Sequence, residues 1–132
     1  MGNRLAVGAI LMLTLFFFGC GKPISGDTVY RFPDPVTEVA VTCYGGGEVA
    51  EVTLDAPDVL RAVANWYAGL RLVALQEAPE EVEGNAAYAF SVNGAEAFSY
   101  DYRGRGEAYL QVDGAWYAVQ NPSAPPVVPA PG

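Results

Sequence analysis

The chain has 132 residues, 52% of them hydrophobic, with 15 acidic and 7 basic side chains, no histidine and a formal net charge of −8. That length holds one domain around one core. The acidic balance, with few and scattered Lys and Arg, excludes a nucleic-acid partner; the missing histidine excludes Ser-His-Asp chemistry; and no phosphate loop, GxSxG or zinc spacing occurs.

The chain opens with Arg4 and then 14 uncharged residues, Leu5–Phe18. One positive charge before a short apolar run is the pattern of a secretory signal, and the run is short for a membrane span, which needs about 20 apolar residues. The run ends in "FFGC", residues 17–20. This resembles the lipobox of bacterial lipoproteins, an aliphatic residue, a small residue, Gly or Ala, then Cys. Gly19 and Cys20 match it, and Phe17 and Phe18 depart from the usual Leu and Ala or Ser. The resemblance implies a signal peptide over residues 1–19, cleavage before Cys20, and lipid on the Cys20 thiol and its new amine. The mature chain is then held at the extracytoplasmic face of the cell membrane.

Residues 20–28 are expected to be the lipidated cysteine and a short Gly/Pro/Ser tether, and residues 29–120 a single domain. The alternating run "EVAVTCY" predicts a strand with Val39, Val41 and Cys43 on one side, a turn at "GGGE" and a second arm in "VAEVTL". With Cys20 assigned to lipid, Cys43 is left alone, and it is expected as a small buried strand residue. "LDAPDVLRAVANWYAGL" predicts a helix with Asp55 as N-cap, Pro57 in the first turn, Asp58 near the positive end, and Val59, Leu60, Val63, Tyr67 and Leu70 on the inner face. A strand follows at "RLVAL", then the acidic loop "EAPEEVEG", whose carboxylates lack a calcium-loop pattern.

Two hairpins close the domain. Asn93-Gly94 suits a type I′ turn, pairing Val92 with Ala95 and Phe90 with Ala97. Asp113-Gly114 pairs Val112 with Ala115, Leu110 with Tyr117 and Ala108 with Val119. Between the hairpins, Arg103 and Arg105 are expected to keep a glycine-rich loop soluble, with a grip on a carboxylate or a lipid headgroup as the functional alternative. Five prolines in residues 121–132 predict an extended or disordered tail. The fold class is therefore α+β: an antiparallel β-sheet of about six to seven strands with one α-helix packed on a face.

The stretches "YLQVDGAWYAVQNPSAPP" and "LDAPDVLRAVANWYAGL" resemble domains in small lipoproteins of Gram-positive bacteria, of the YhfM-like kind. The resemblance implies a cell-surface location and carries no catalytic residues. The functional expectation is a non-catalytic binding or accessory domain, without cofactor or metal, engaging the membrane through its lipid and an envelope protein or extracellular ligand through an aromatic sheet face around Tyr100, Tyr109 and Trp116. Aromatic side chains with a polar tip suit such a surface. Two alternatives stand beside it. One is a small inhibitor or immunity-type protein acting through its acidic loop. The other is a secreted hydrolase working with Cys43 or with the carboxylates of Glu80 and Glu81.

Overall fold

A computed structural model describes residues 22–45, 47–80, 86–104 and 106–127. The segment expected to be a signal peptide and Cys20 lie outside the described residues, as do Glu81, Glu83, Arg105 and the last five residues.

The elements in chain order are β1 (Ile24–Ser25), α1 (Gly26–Val29), β2 (Val39–Gly45), β3 (Glu48–Leu54), α2 (Pro57–Ala68), β4 (Arg71–Ala74), β5 (Ala86–Val92), β6 (Ala95–Gly104), β7 (Glu107–Val112) and β8 (Ala115–Val119). The eight strands form one antiparallel sheet in the order β1-β4-β8-β7-β6-β5-β2-β3. The α+β class stands, but the strands number eight rather than six or seven, and a second, one-turn helix is present. The extra strand is β1, whose two residues pair with Leu72 and Arg71. A stretch this short has no alternation to read in sequence; only the partner strand defines it.

The chain expected as a tether thus enters the fold at Ile24. Gly26 donates its N–H to the Leu70 carbonyl at 3.0 Å, and a Cβ on Gly26 would lie 2.2 Å from the Tyr67 carbonyl oxygen. Only glycine lets the two backbones approach so closely.

Helix α2 begins one residue later than the sequence suggests. Its N-cap is Ala56, in extended backbone and without a side-chain cap, and Pro57 takes the first helical position. Asp55 is not the cap, while the Asp58 carboxylate accepts from the Val59 N–H at 3.1 Å. Leu60, Val63 and Tyr67 form the buried stripe, at the spacing that keeps one helical face on a sheet. At its C-terminal end, the Asn121 carboxamide donates to the Gly69 carbonyl at 2.9 Å and accepts from the Arg71 N–H at 2.8 Å, holding helix and β4 together.

The core lies between α2 and one face of the sheet. Val39, Val41, Phe90, Val92, Phe98, Tyr100, Leu110 and Leu72 come from the strands, and Leu60, Val63, Tyr67 and Leu70 from the helix and its end. Aromatic rings fill its middle. Phe98 stacks on Tyr67 at 4.5 Å and on Phe90 at 4.6 Å between centroids, and Trp66 meets Tyr100 edge-on at 4.9 Å. Tyr30 and Phe32, on the connection after α1, close over Tyr67 and Phe98.

Both two-residue turns form as their sequences require. Asn93 and Gly94, and likewise Asp113 and Gly114, all have positive φ, the geometry of a type I′ turn. The β7–β8 register is the expected one at Val112 with Ala115 and Leu110 with Tyr117. The β5–β6 register differs. Val92 pairs with Ala95 and Ser91 with Glu96, but Phe90 then pairs with Phe98, leaving Ala97 as the extra residue of a β-bulge. Ala97 and Phe98 both turn inward, at 8% and 3% exposure. Every residue of β6 beyond this point sits on the face opposite to the one simple alternation assigns.

Candidate functional site

The bulge decides the fate of the aromatic surface. Beyond it, Tyr100 shares the inner face with Phe98 and pairs with Leu110 and Tyr88. Tyr100 is fully buried, with 0% of its surface exposed, so it is a core residue and not part of a partner surface. Its hydroxyl donates to the Ser123 carbonyl at 2.8 Å and accepts from the Ser123 N–H at 3.2 Å. The Trp66 indole N–H donates to the Ser123 hydroxyl at 3.1 Å. Burial is the main cause that pushes the Tyr100 hydroxyl up to about 12, with the Ser123 hydrogen bond opposing it.

These contacts also revise the tail. Residues 121–127 fold back on the helix side of the sheet, where Pro125 and Val127 are buried.

Tyr109 and Trp116 lie on the other face, both half-buried. Register places Tyr109 beside Asp101 and Ala118, and Trp116 beside Gln111, which in turn pairs with Ser99. The same face continues across β5 and β2 with Ala87, Ala89, Ser91, Ala40 and Thr42, all half-buried. Small side chains give a low floor from which the two aromatic rings stand up. Among the described residues, no helix covers this face.

Arg103 fixes one end of the floor. Its guanidinium lies 4.8 Å from the centroid of the Tyr109 ring, and Nη2 is 3.2 Å from the Asp101 carboxylate. The same nitrogen donates to the Glu80 carbonyl, tying the start of the acidic loop to the sheet. The carboxylate that Arg103 grips is therefore the chain's own. The Tyr109 hydroxyl donates to the Glu107 carboxylate at 3.2 Å, and its pKa is raised, chiefly by burial and then by that carboxylate. Tyr109 is held between a cation above its ring and an anion at its tip.

Of the residues weighed for catalysis, Cys43 and Glu80 are described and Glu81 lies outside the described residues. Cys43 is a free thiol on the inner face, opposite Tyr88 and Ala50, and burial raises its pKa, the reverse of what a nucleophilic thiolate needs. Among the described residues, no three His, Cys, Asp or Glu side chains converge as metal ligands. A polar recess of about 270 Å³ opens beside the bulge, with Glu96, Ser99, Gln111 and Asp113 in its wall. It holds two carboxylates without a basic partner.

Sequence reasoning missed Tyr44 and Val49. They pair across β2 and β3 on the same outer face and are exposed at 46% and 65%. The signal was present in "EVAEVTL", where Val49 breaks the alternation that puts Ala50, Val52 and Leu54 on one side; apolar residues on both sides ordinarily mark a strand covered on both faces, yet Val49 is exposed.

No protein-family model, no curated protein and no solved structure matches the chain.

Proposed function

We propose that the protein is a lipoprotein anchored through Cys20 at the extracytoplasmic face of a bacterial membrane, and that its domain is a non-catalytic binding or accessory module. The observation that carries the binding reading is the uncovered sheet face, where the Tyr109 and Trp116 rings stand above small residues of β5 and β2. The Tyr109 ring, held by Arg103 and Glu107, is partly ordered before a partner covers it, which favours it as an anchor. The anchor reading rests on the order of Arg4, the apolar run and Gly19-Cys20. The partner is an envelope protein or an extracellular ligand; the acidic surface leaves nucleic acid out.

The test uses bacterial cells producing the full chain and fed an alkyne-tagged palmitate. Label is expected on the wild-type chain, and Cys20→Ala should lose it and shift the protein from the membrane to the soluble fraction. Crosslinking on intact membranes should capture a partner with wild type and lose it with Trp116→Ala, while the melting temperature shifts by only a few degrees. Label that persists in Cys20→Ala overturns the anchor. Undiminished capture by Trp116→Ala overturns the sheet-face site.

A further inference from the structure

The sheet has two edges of very different kinds. One is β1, two residues long. The other is β3, seven residues, Glu48–Leu54, paired with β2 in unbroken register from Gly45–Glu48 to Val39–Leu54. An exposed edge is a template for another strand, and proteins usually block it with proline, charged side chains, a bulge or an early end. Of these β3 has only the acidic charges of Glu48 and Glu51, which oppose another acidic edge and not a basic strand. It carries no proline and no basic residue, and its four N-terminal residues are all exposed.

Antiparallel pairing turns every second residue's N–H and C=O toward the neighbouring strand. Counted from the Gly45–Glu48 pair that closes the hairpin, Val49, Glu51 and Thr53 turn theirs away from β2, toward the open edge. The same three residues project side chains on the outer face, beside Tyr44 and Thr42. An incoming strand would therefore meet backbone groups that no described residue pairs, the Glu51 carboxylate with Val49 and Tyr44 on the outer face, and Ala50, Val52 and Leu54 on the inner face, so that alternating side chains set basic groups against Glu51 and apolar ones against Val52 and Leu54.

We propose that β3 is a strand-addition site for an extended basic segment of a partner protein, alternating apolar and Lys or Arg side chains. Charge decides against a second copy as the occupant. Full antiparallel overlap of two β3 edges sets Glu51 directly opposite Glu51, and like charges in that position destabilise a pair. A basic strand reverses that sign and also complements a chain of formal net charge −8. Main-chain hydrogen bonds supply affinity in this mode, and alternate side chains supply selectivity. The site is separate from the Tyr109–Trp116 surface and does not depend on it.

The probe is a capped, fluorescently labelled peptide of alternating valine and lysine, matched to the seven residues of β3, with a valine–glutamate peptide as control. Binding is measured by anisotropy to the full chain in detergent micelles at low and high salt. The lysine peptide is expected to bind, more weakly as salt rises, and the glutamate peptide not to bind. Val49→Pro removes one outward N–H and leaves the bonds to β2 intact, so the circular dichroism and melting temperature stay near wild type while binding falls about tenfold or more. Glu51→Lys should weaken the lysine peptide and admit the glutamate peptide, and Trp116→Ala should change neither. The proposal is overturned by no binding of the lysine peptide, by equal binding to folded Val49→Pro, or by a β3-paired dimer in sedimentation that excludes the peptide.

Discussion

Tyr100 concentrates the chemistry that holds the two halves of the domain together. A single phenol fills the core beside Trp66, pairs with Leu110 and Tyr88 in the sheet, and fastens the tail at Ser123. Tyr100→Phe keeps the ring and removes the hydroxyl, leaving the Ser123 carbonyl and N–H without that partner. The expected loss is about 1–2 kcal/mol in urea unfolding with the fold unchanged. The same hydroxyl predicts how stability depends on pH. Its native pKa, about 12, lies above the ordinary tyrosine value of 10, so the native state binds this proton more tightly than the unfolded chain. Its contribution is therefore fully present below pH 10 and lost as pH rises from 10 toward 12, on the order of 2–3 kcal/mol. Burial likewise raises the Tyr67 hydroxyl, so its ionisation acts in the same direction. Tyrosinate absorbance and ellipticity followed together should show ionisation of the buried tyrosines coinciding with unfolding; ionisation of every tyrosine near pH 10 in a still folded chain would contradict this.

Most elements were legible in sequence. The helix followed from the spacing of Leu60, Val63 and Tyr67, and both hairpins from Asn93-Gly94 and Asp113-Gly114, because each of these signals is local. The aromatic site was legible only in part. Tyr109 and Trp116 lie on the outer face as alternation requires, but Tyr100 does not, because the bulge at Ala97 reverses the count. Nothing in "NGAEAFSY" marks that bulge, since alanine is at home in either register. This gives a prediction about length. Deleting Ala97 leaves Glu96 opposite Ser91 and Phe98 opposite Phe90 in a regular ladder, so the chain should still fold cooperatively, with a loss of about 1 kcal/mol for one buried methyl. Deleting Ser99 instead turns Tyr100 and Tyr102 outward and should abolish the cooperative thermal transition. Equal behaviour of the two deletions would contradict the register.

Distant parts of the chain close the molecule, and here sequence reading was weakest. The hairpin β2–β3 joins the meander β5–β8 through the β2–β5 pairing, and Asn93 reinforces that seam by accepting from the Thr37 and Glu38 N–H groups and donating to the Pro35 carbonyl. At the opposite edge, β1 and the tail fasten onto β4 and the end of α2 through Gly26 and Asn121. Prolines hid the tail's role, because it is held by side-chain bonds and by burial of Pro125 and Val127 rather than by a ladder. Truncation after Gln120 removes all of these contacts and uncovers Tyr100 and Trp66. Such a chain should melt at least about 10 °C lower than wild type, as expected when several kcal/mol are lost from a domain of this size. An unchanged melting curve would show that the tail contributes nothing.

The close packing of Gly26 against the end of α2 fixes where the proposed anchor would meet the domain. Four peptide units lead from Cys20 to Ile24, a reach of at most about 14 Å. With Cys20 acylated as proposed, so short a leash would keep the β1 border close to the headgroups. Eight strands at about 4.8 Å spacing carry the far border some 34 Å along the sheet, which under the proposed anchor would set the outward amides of β3 well away from the bilayer.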